Sequence, residues 1–265
     1  MPTMTTYPHG VPSWIDLATP DPPASRAFYA TLFGWSYDEE PTDQEGVDYT
    51  MARKGTASAA GMMQLSEEMA ASGMPPVWTT YVTVDELEAA VAAAADAGGT
   101  VLQPPMDVMD AGRMAVLADP SGAVICAWHA KEHIGAEVVN EHGALTWNEL
   151  MTPDPAAVAA FYGAVFGWTA QTVPMEGGDY TVFHVEGGDE NGIAGAMAPP
   201  MPGMPAFWGV YFHVDDVAAA VDVARSLGAQ VLMEPTAMEG VGTLAALVDP
   251  QGAAFSLMTP EAGGG

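Results

Sequence analysis

The chain repeats itself. PSWIDLATPDPPASRAFYATLFGW, ending at Trp35, aligns without a gap with LTWNELMTPDPAAVAAFYGAVFGW, ending at Trp168, so that Trp14 matches Trp147 and Phe28-Tyr29 matches Phe161-Tyr162. Further along, Val84-Asp85 pairs with Val214-Asp215, and Asp119-Pro120 with Asp249-Pro250. Matched blocks in one order mean that a single structural unit is present twice, each copy long enough to bury a core of its own. The expected boundaries are a first domain over 1–133, a connector over 134–142 and a second domain over 143–265.

Each copy carries the same local signals twice. Trp14 to Thr19 alternates Trp, Asp and Ala with Ile, Leu and Thr and ends at a proline, which reads as a strand. Asp21 followed by Pro22 and Pro23 is a helix cap with proline in the first turn. Phe28, Tyr29, Leu32 and Phe33 then fall at helical spacing until Gly34 stops the helix. Trp78 to Val84 followed by DELEAAVAAAADAGG repeats this strand-helix unit. The expected class is α+β: two tandem domains, each a pair of βαβββ modules curled into a half-open eight-stranded barrel with helices outside.

Composition narrows the partners. Acidic residues number 34 against 6 Lys and Arg, a formal charge of -28. A field of that sign repels phosphate backbones and anionic lipid, which argues against nucleic acid and membranes. No apolar run approaches the length of a membrane span, and MPTMTTYPHG has neither the basic patch nor the apolar stretch of a signal peptide, so a cytoplasmic protein is expected. The lone Cys126 excludes an intramolecular disulfide and any multi-cysteine metal site.

The strand followed by D-x-x-x-S-x-x-FY-x-x-x-FGW, and later by D-P-x-G-A, resembles the vicinal-oxygen-chelate superfamily of glyoxalase I, the bleomycin-resistance proteins and the ring-cleaving dioxygenases. In the second copy Val158 replaces the serine of that pattern. The tandem arrangement is similar to actinobacterial two-domain members described as glyoxalase-like or as hydroxylases, some of them associated with anthracycline pathways. In metal-dependent relatives, the resemblance implies, a divalent cation is held by the first strand of each module and by the last strand of the domain. Here those slots hold Trp14, Thr79 and Cys126 in the first copy and Trp147, Gly209 and Ser256 in the second. A register shifted by one would place Trp78 and Trp208 at the middle slot. Indole has no lone pair to offer a metal, and the fourth strands, ASAAGMM and GIAGAM, contain no acid or histidine. The expectation is therefore no metal and no cofactor.

What remains points to a binding cavity. Trp14 and Trp147 are placed either to stack on a planar ligand or to plug the space a metal would fill. Asp16 and Glu149, two residues on, share their faces and are the candidate general bases, or else acceptors of structural hydrogen bonds. His213 has the parity to look into the second cavity. His129, His133 and His142 surround the connector, where they could gather, although their spacing suits a solvated role. Cys126 reads as a buried, inert thiol. Eighteen methionines suit either a plastic cavity lining or gap-filling in a core, and the Pro-rich loops SEEMAASGMPPVW and MAPPMPGMPAFW could be lids. The expected function is metal-independent binding of a hydrophobic, aromatic small molecule by a monomer or homodimer, with a glyoxalase-like lyase or an oxygenase-type enzyme as the alternative.

Overall fold

A computed structural model describes residues 3–40, 49–71, 73–175, 178–186, 188–189 and 191–261. In the first repeat β1 (Pro12–Thr19) leads into α1 (Pro22–Phe33), β2 (Ser36–Glu40), β3 (Tyr49–Lys54) and β4 (Ala57–Gln64). After the short α2 (Glu67–Ala71), the second module runs through β5 (Val77–Thr83), α3 (Leu87–Asp96), β6 (Thr100–Val108), β7 (Gly112–Ala118) and β8 (Val124–Ala130). The second repeat follows with β9 (Ala144–Met151), α4 (Pro155–Phe166), β10 (Thr169–Met175), β11 (Gly178–His184) and β12 (Ala194–Met197). It closes with β13 (Phe207–His213), α5 (Val217–Ser226), β14 (Gln230–Met238), β15 (Gly242–Val248) and β16 (Ala254–Pro260).

Each repeat forms its own sheet of eight strands, in the orders β2-β3-β4-β1-β5-β8-β7-β6 and β10-β11-β12-β9-β13-β16-β15-β14. The first strands of the two modules pair antiparallel at the centre, and each is flanked by the last strand of its own module running parallel to it. Both long N-terminal helices start and stop where their sequences dictate. The Asp21 carboxylate accepts the Ala24 amide at 3.1 Å, and Asp154 accepts that of Ala157 at 3.0 Å. Gly34 and Gly167 end the helices at φ 72°, a left-handed turn that costs glycine little.

The helices lie outside the curve of each sheet, as expected, with one face exposed and the other packed where the convex sides of the two repeats meet. One core joins Ile15, Leu17, Phe28, Tyr29 and Phe33 of the first repeat to Phe212, Val221, Phe255 and Leu257 of the second. The reciprocal core joins Val82, Leu87 and Ile125 to Phe161, Phe166 and Phe183. Each repeat thus buries its apolar helix face against the other repeat, and full burial of each such side chain contributes roughly 1.5–3 kcal/mol.

Polar relays lock this interface. Trp78 Nε1 donates to the Tyr29 hydroxyl at 3.1 Å, and that hydroxyl donates to Asp249 Oδ2 of the other repeat at 3.0 Å. Trp208, Tyr162 and Asp119 repeat the relay at 2.9 and 2.8 Å. Trp35 Nε1 donates to the Gly143 carbonyl and Trp168 Nε1 to that of Gly10. The symmetry fails at one place. Thr19 Oγ1 lies 2.8 Å from Ser25 Oγ, which donates to Gln251 Oε1, whereas the matching Thr152 faces Val158, and its buried hydroxyl has no partner among the described residues.

Candidate functional site

Strand alternation sends Ile15 and Leu17 toward the helices and Trp14 and Asp16 to the opposite, concave face. On that face Asp16 stands opposite Gly61 on β4 and Thr79 on β5, while Trp14 stands opposite Tyr81, which itself stands opposite Cys126 on β8. Trp14 Nε1 donates to the Tyr49 hydroxyl at 3.0 Å, and the Tyr81 hydroxyl donates to Asp16 Oδ2 at 2.8 Å. Trp208 and Trp78 belong to the apolar cores, so the register that puts Thr79 and Gly209 on the concave faces is the correct one.

The first face is largely covered, with Tyr49 and Thr79 half-buried. Every residue of β1 is buried, Trp14 being 3% exposed. The connector and the N-terminal segment lie over it: the Ala136 amide donates to the Ser13 carbonyl, the Tyr7 hydroxyl to the Ala136 carbonyl, and the Glu137 amide to that of Ser58. The His133 ring meets Trp14 edge to face at 4.5 Å, and its carbonyl accepts Trp128 Nε1. Burial pushes the Asp16 carboxyl up to about 7, against the opposing pull of the Tyr81 hydroxyl. It also pushes His133 down to about 4. Cys126 is buried and its thiol is raised far above its usual range by desolvation, so it is inert as a nucleophile.

The second face repeats the chemistry with the cover absent among the described residues. Trp147 Nε1 donates to the Tyr180 hydroxyl at 2.9 Å, which donates to Glu149 Oε1 at 2.8 Å, and the Tyr211 hydroxyl donates to Glu149 Oε2 at 2.5 Å. Burial raises the Glu149 carboxyl, while the hydrogen bonds from Tyr211 and Tyr180 favour its ionised form. β13 alternates buried and half-buried residues, whereas β5 is half-buried only at Val77 and Thr79; Trp147, Tyr211 and Ser256 are half-buried where Trp14, Tyr81 and Cys126 are buried, and Tyr49 and Tyr180 are both half-buried. Ser256 stands opposite Tyr211, and Gly209 opposite Glu149. Glycine is required at Gly61 and Gly195, since a Cβ at either position would collide with the hydroxyl of Tyr49 or Tyr180.

The structure places the other candidates as follows. His129, His133 and His142 do not gather: His129 lies by the Val84 carbonyl, His133 covers Trp14, and His142 accepts the Asp215 amide. His213 stands at the end of β13 beside the connector, with a buried Nδ1 that has no partner among the described residues. The methionines do not collect in the cavities. Met51 and Met114 pack at the first face, Met62 is in the main core, and Met74, Met109 and Met201 are exposed. The ends of the Pro-rich loops pack on the other repeat: Met204, Pro205 and Ala206 form a cleft of about 290 Å³ with Pro120 and Ser121, and Pro76 lies against Gly252.

The donor set on either face does not fit a divalent cation. Each face supplies a single carboxylate; on the first, the His133 ring is packed edge to face on Trp14 and burial raises the Cys126 thiol far above its usual range, and no cluster of three His, Cys, Asp or Glu suited to a metal exists among the described residues. The family model described as Glyoxalase/Bleomycin resistance protein/Dioxygenase superfamily matches residues 12–127 and again 143–257. The chain belongs to that superfamily. It is 44% identical over 261 residues to "Putative glyoxylase CFP32" of Mycobacterium tuberculosis (strain CDC 1551 / Oshkosh), covering 98% of each chain. It is 36% identical to "Anthracycline biosynthesis protein DnrV" of Streptomyces peucetius, covering 99% of each. Among solved structures it shares its fold with the 2,3-dioxygenase LapB from Pseudomonas sp. KL28, at 18% identity and a TM-score of 0.65 over 95% of this chain and 93% of that one. The Mn(II)-bound glyoxalase from Novosphingobium aromaticivorans matches equally well, at 14% identity and a TM-score of 0.65 over 95% and 82%.

Reading metal slots alone misses the four tyrosines that organise the two faces. Self-comparison holds the signal for them, since Tyr81 matches Tyr211 at the offset of the Asp-Pro blocks, and Tyr49 and Tyr180 occupy matching strands.

Proposed function

We propose that the concave face of the second repeat binds a hydrophobic, aromatic small molecule without a metal, in a sequestering or accessory role in antibiotic or aldehyde metabolism. The observation that carries this reading is the half-open Trp147–Tyr180–Glu149–Tyr211 cluster beside a counterpart whose Trp14 and Tyr81 are buried. Three aromatic rings offer a large contact area at low entropic cost, and a carboxylate among them orients a ligand hydroxyl. A relative named for anthracycline biosynthesis agrees with a flat aromatic ligand. The first face has a stabilising role, with Trp14 as its plug and Thr79 and Cys126 as part of its filled lining.

The test is quenching of tryptophan fluorescence by a planar hydroxylated dye. Trp147→Ala should weaken binding several-fold or more, whereas Trp14→Ala should leave affinity unchanged and lower stability. Equal binding by Trp147→Ala and the parent chain would overturn the reading. A second reading, a lyase or oxygenase-type enzyme, is favoured by the position of Glu149, a buried carboxylate raised by desolvation at an accessible face, where it would accept a proton from substrate. Turnover of a methylglyoxal-derived hemithioacetal that disappears in Glu149→Gln would support it.

A further inference from the structure

Three glycines line the concave floors, and they are glycine for different reasons. At Gly61 and Gly195 a tyrosine hydroxyl occupies the place of a side chain. At Gly209 nothing does: a Cβ built there meets only the Glu149 carbonyl and Phe207 Cε2, both at 3.7 Å, an ordinary contact distance. Its backbone is not in the left-handed region either. A glycine in mid-strand gives up both conformational entropy and cross-strand packing relative to almost any other residue. The first repeat has Thr79 at the matching place, opposite Asp16 as Gly209 is opposite Glu149. Neither packing nor backbone geometry calls for glycine at 209, and what its absent side chain leaves is space, on the face that is half-open and next to the carboxylate.

We infer that Gly209 is a specificity-determining residue: it forms a notch beside Glu149 that admits the edge of a fused, multi-ring phenol, extending across β13 while a ring hydroxyl donates to Glu149. This rests on the binding reading above and adds the size and shape of the ligand. The hydroxyl follows from the acceptor-only character of an ionised carboxylate, and the fused rings from the side-chain-free floor between Phe207 and Tyr211. An uncharged phenol also avoids the repulsion that the chain's charge of -28 imposes on anions.

The experiment uses the full chain with Gly209→Thr, Gly209→Ala and Trp147→Ala, and two probes, the three-ring 1,8-dihydroxyanthraquinone and the one-ring resorcinol. Affinities are read by fluorescence titration and stability by thermal melting. Gly209→Thr is expected to weaken binding of the tricycle about tenfold or more, to change that of resorcinol by less than about threefold, and to hold or raise the melting temperature, with Gly209→Ala intermediate. An unchanged tricycle affinity in Gly209→Thr, together with its loss in Trp147→Ala, would overturn the inference and leave the binding reading standing. Loss of both probes with a lowered melting temperature would also overturn it, because Gly209 would then be structural. A parent chain that binds neither probe would remove the binding reading and this inference together.

Discussion

Tyr162 of the second repeat donates its hydroxyl to Asp119 of the first at 2.8 Å, in the interior of the molecule, and Tyr29 donates to Asp249 in the mirrored arrangement. The acceptors belong to the Asp-Pro turns, where the other carboxylate oxygen binds the turn's own amides: Ser121 and Ala123 on Asp119, Gln251 and Ala253 on Asp249. One aspartate therefore shapes a turn in its own repeat and holds a helix of the other.

Removing either hydroxyl should weaken the whole chain. Tyr162→Phe and Tyr29→Phe are each expected to lower unfolding free energy by about 1–3 kcal/mol, the range for leaving a buried hydrogen-bond partner unsatisfied. Urea denaturation followed by fluorescence reads this directly. A loss below about 0.5 kcal/mol, typical of surface changes, would mean that the relay does not hold the repeats together.

The broken symmetry at Val158 makes a second forecast. Thr19→Val removes a partnered buried hydroxyl and should cost about 1 kcal/mol, while Thr152→Val removes an unpartnered one and should be neutral or stabilising. The double change Val158→Ser with Ser121→Gln should make Thr152→Val costly again. Identical melting shifts for the two threonines would contradict the hydrogen-bond assignment.

The titration of Asp16 has a definite sign. Its folded carboxyl, near 7, lies above its unfolded value of 3.8, so between those values the folded state holds more protons and the group's contribution to stability falls as pH rises. His133, lowered to about 4, acts oppositely and loses stability as pH falls from 6.5. Asp16→Asn removes the first effect only. The melting temperature of the variant relative to the parent should climb between about pH 4 and 7 and level off above. A constant difference would place an ordinary carboxylate at Asp16.

Matched tryptophans should respond differently to truncation. Trp14→Ala empties a buried, packed site and should cost about 3–5 kcal/mol, whereas Trp147→Ala, on a half-open face, should cost distinctly less. Chemical denaturation of the two variants side by side decides it. Equal losses would mean that the second face is as closed as the first.

Much of this was legible from local rules. The offsets of the repeats, the Asp21 cap, the closing Gly34 and the parity of Trp14 and Asp16 on β1 each follow from short-range chemistry, and the fold confirms them. What was not legible lies between the repeats. Comparing the chain with itself matches Tyr29 to Tyr162 and Asp119 to Asp249, yet the contacts run crosswise, Tyr29 to Asp249 and Tyr162 to Asp119, because two back-to-back sheets bring unlike halves together. The histidines around the connector stay apart for a similar reason, as closeness in sequence does not survive a segment that spreads over Ser13, Ser58 and Trp128.

That segment has a consequence of its own. Two separate copies related by a twofold axis would present two equivalent faces, and any ligand would meet both alike. Joining them end to end introduces a single tether, which can cross only one of the two, and here it crosses the first. Linkage alone thus makes the faces unequal: one lies beneath the tether, and the other does not.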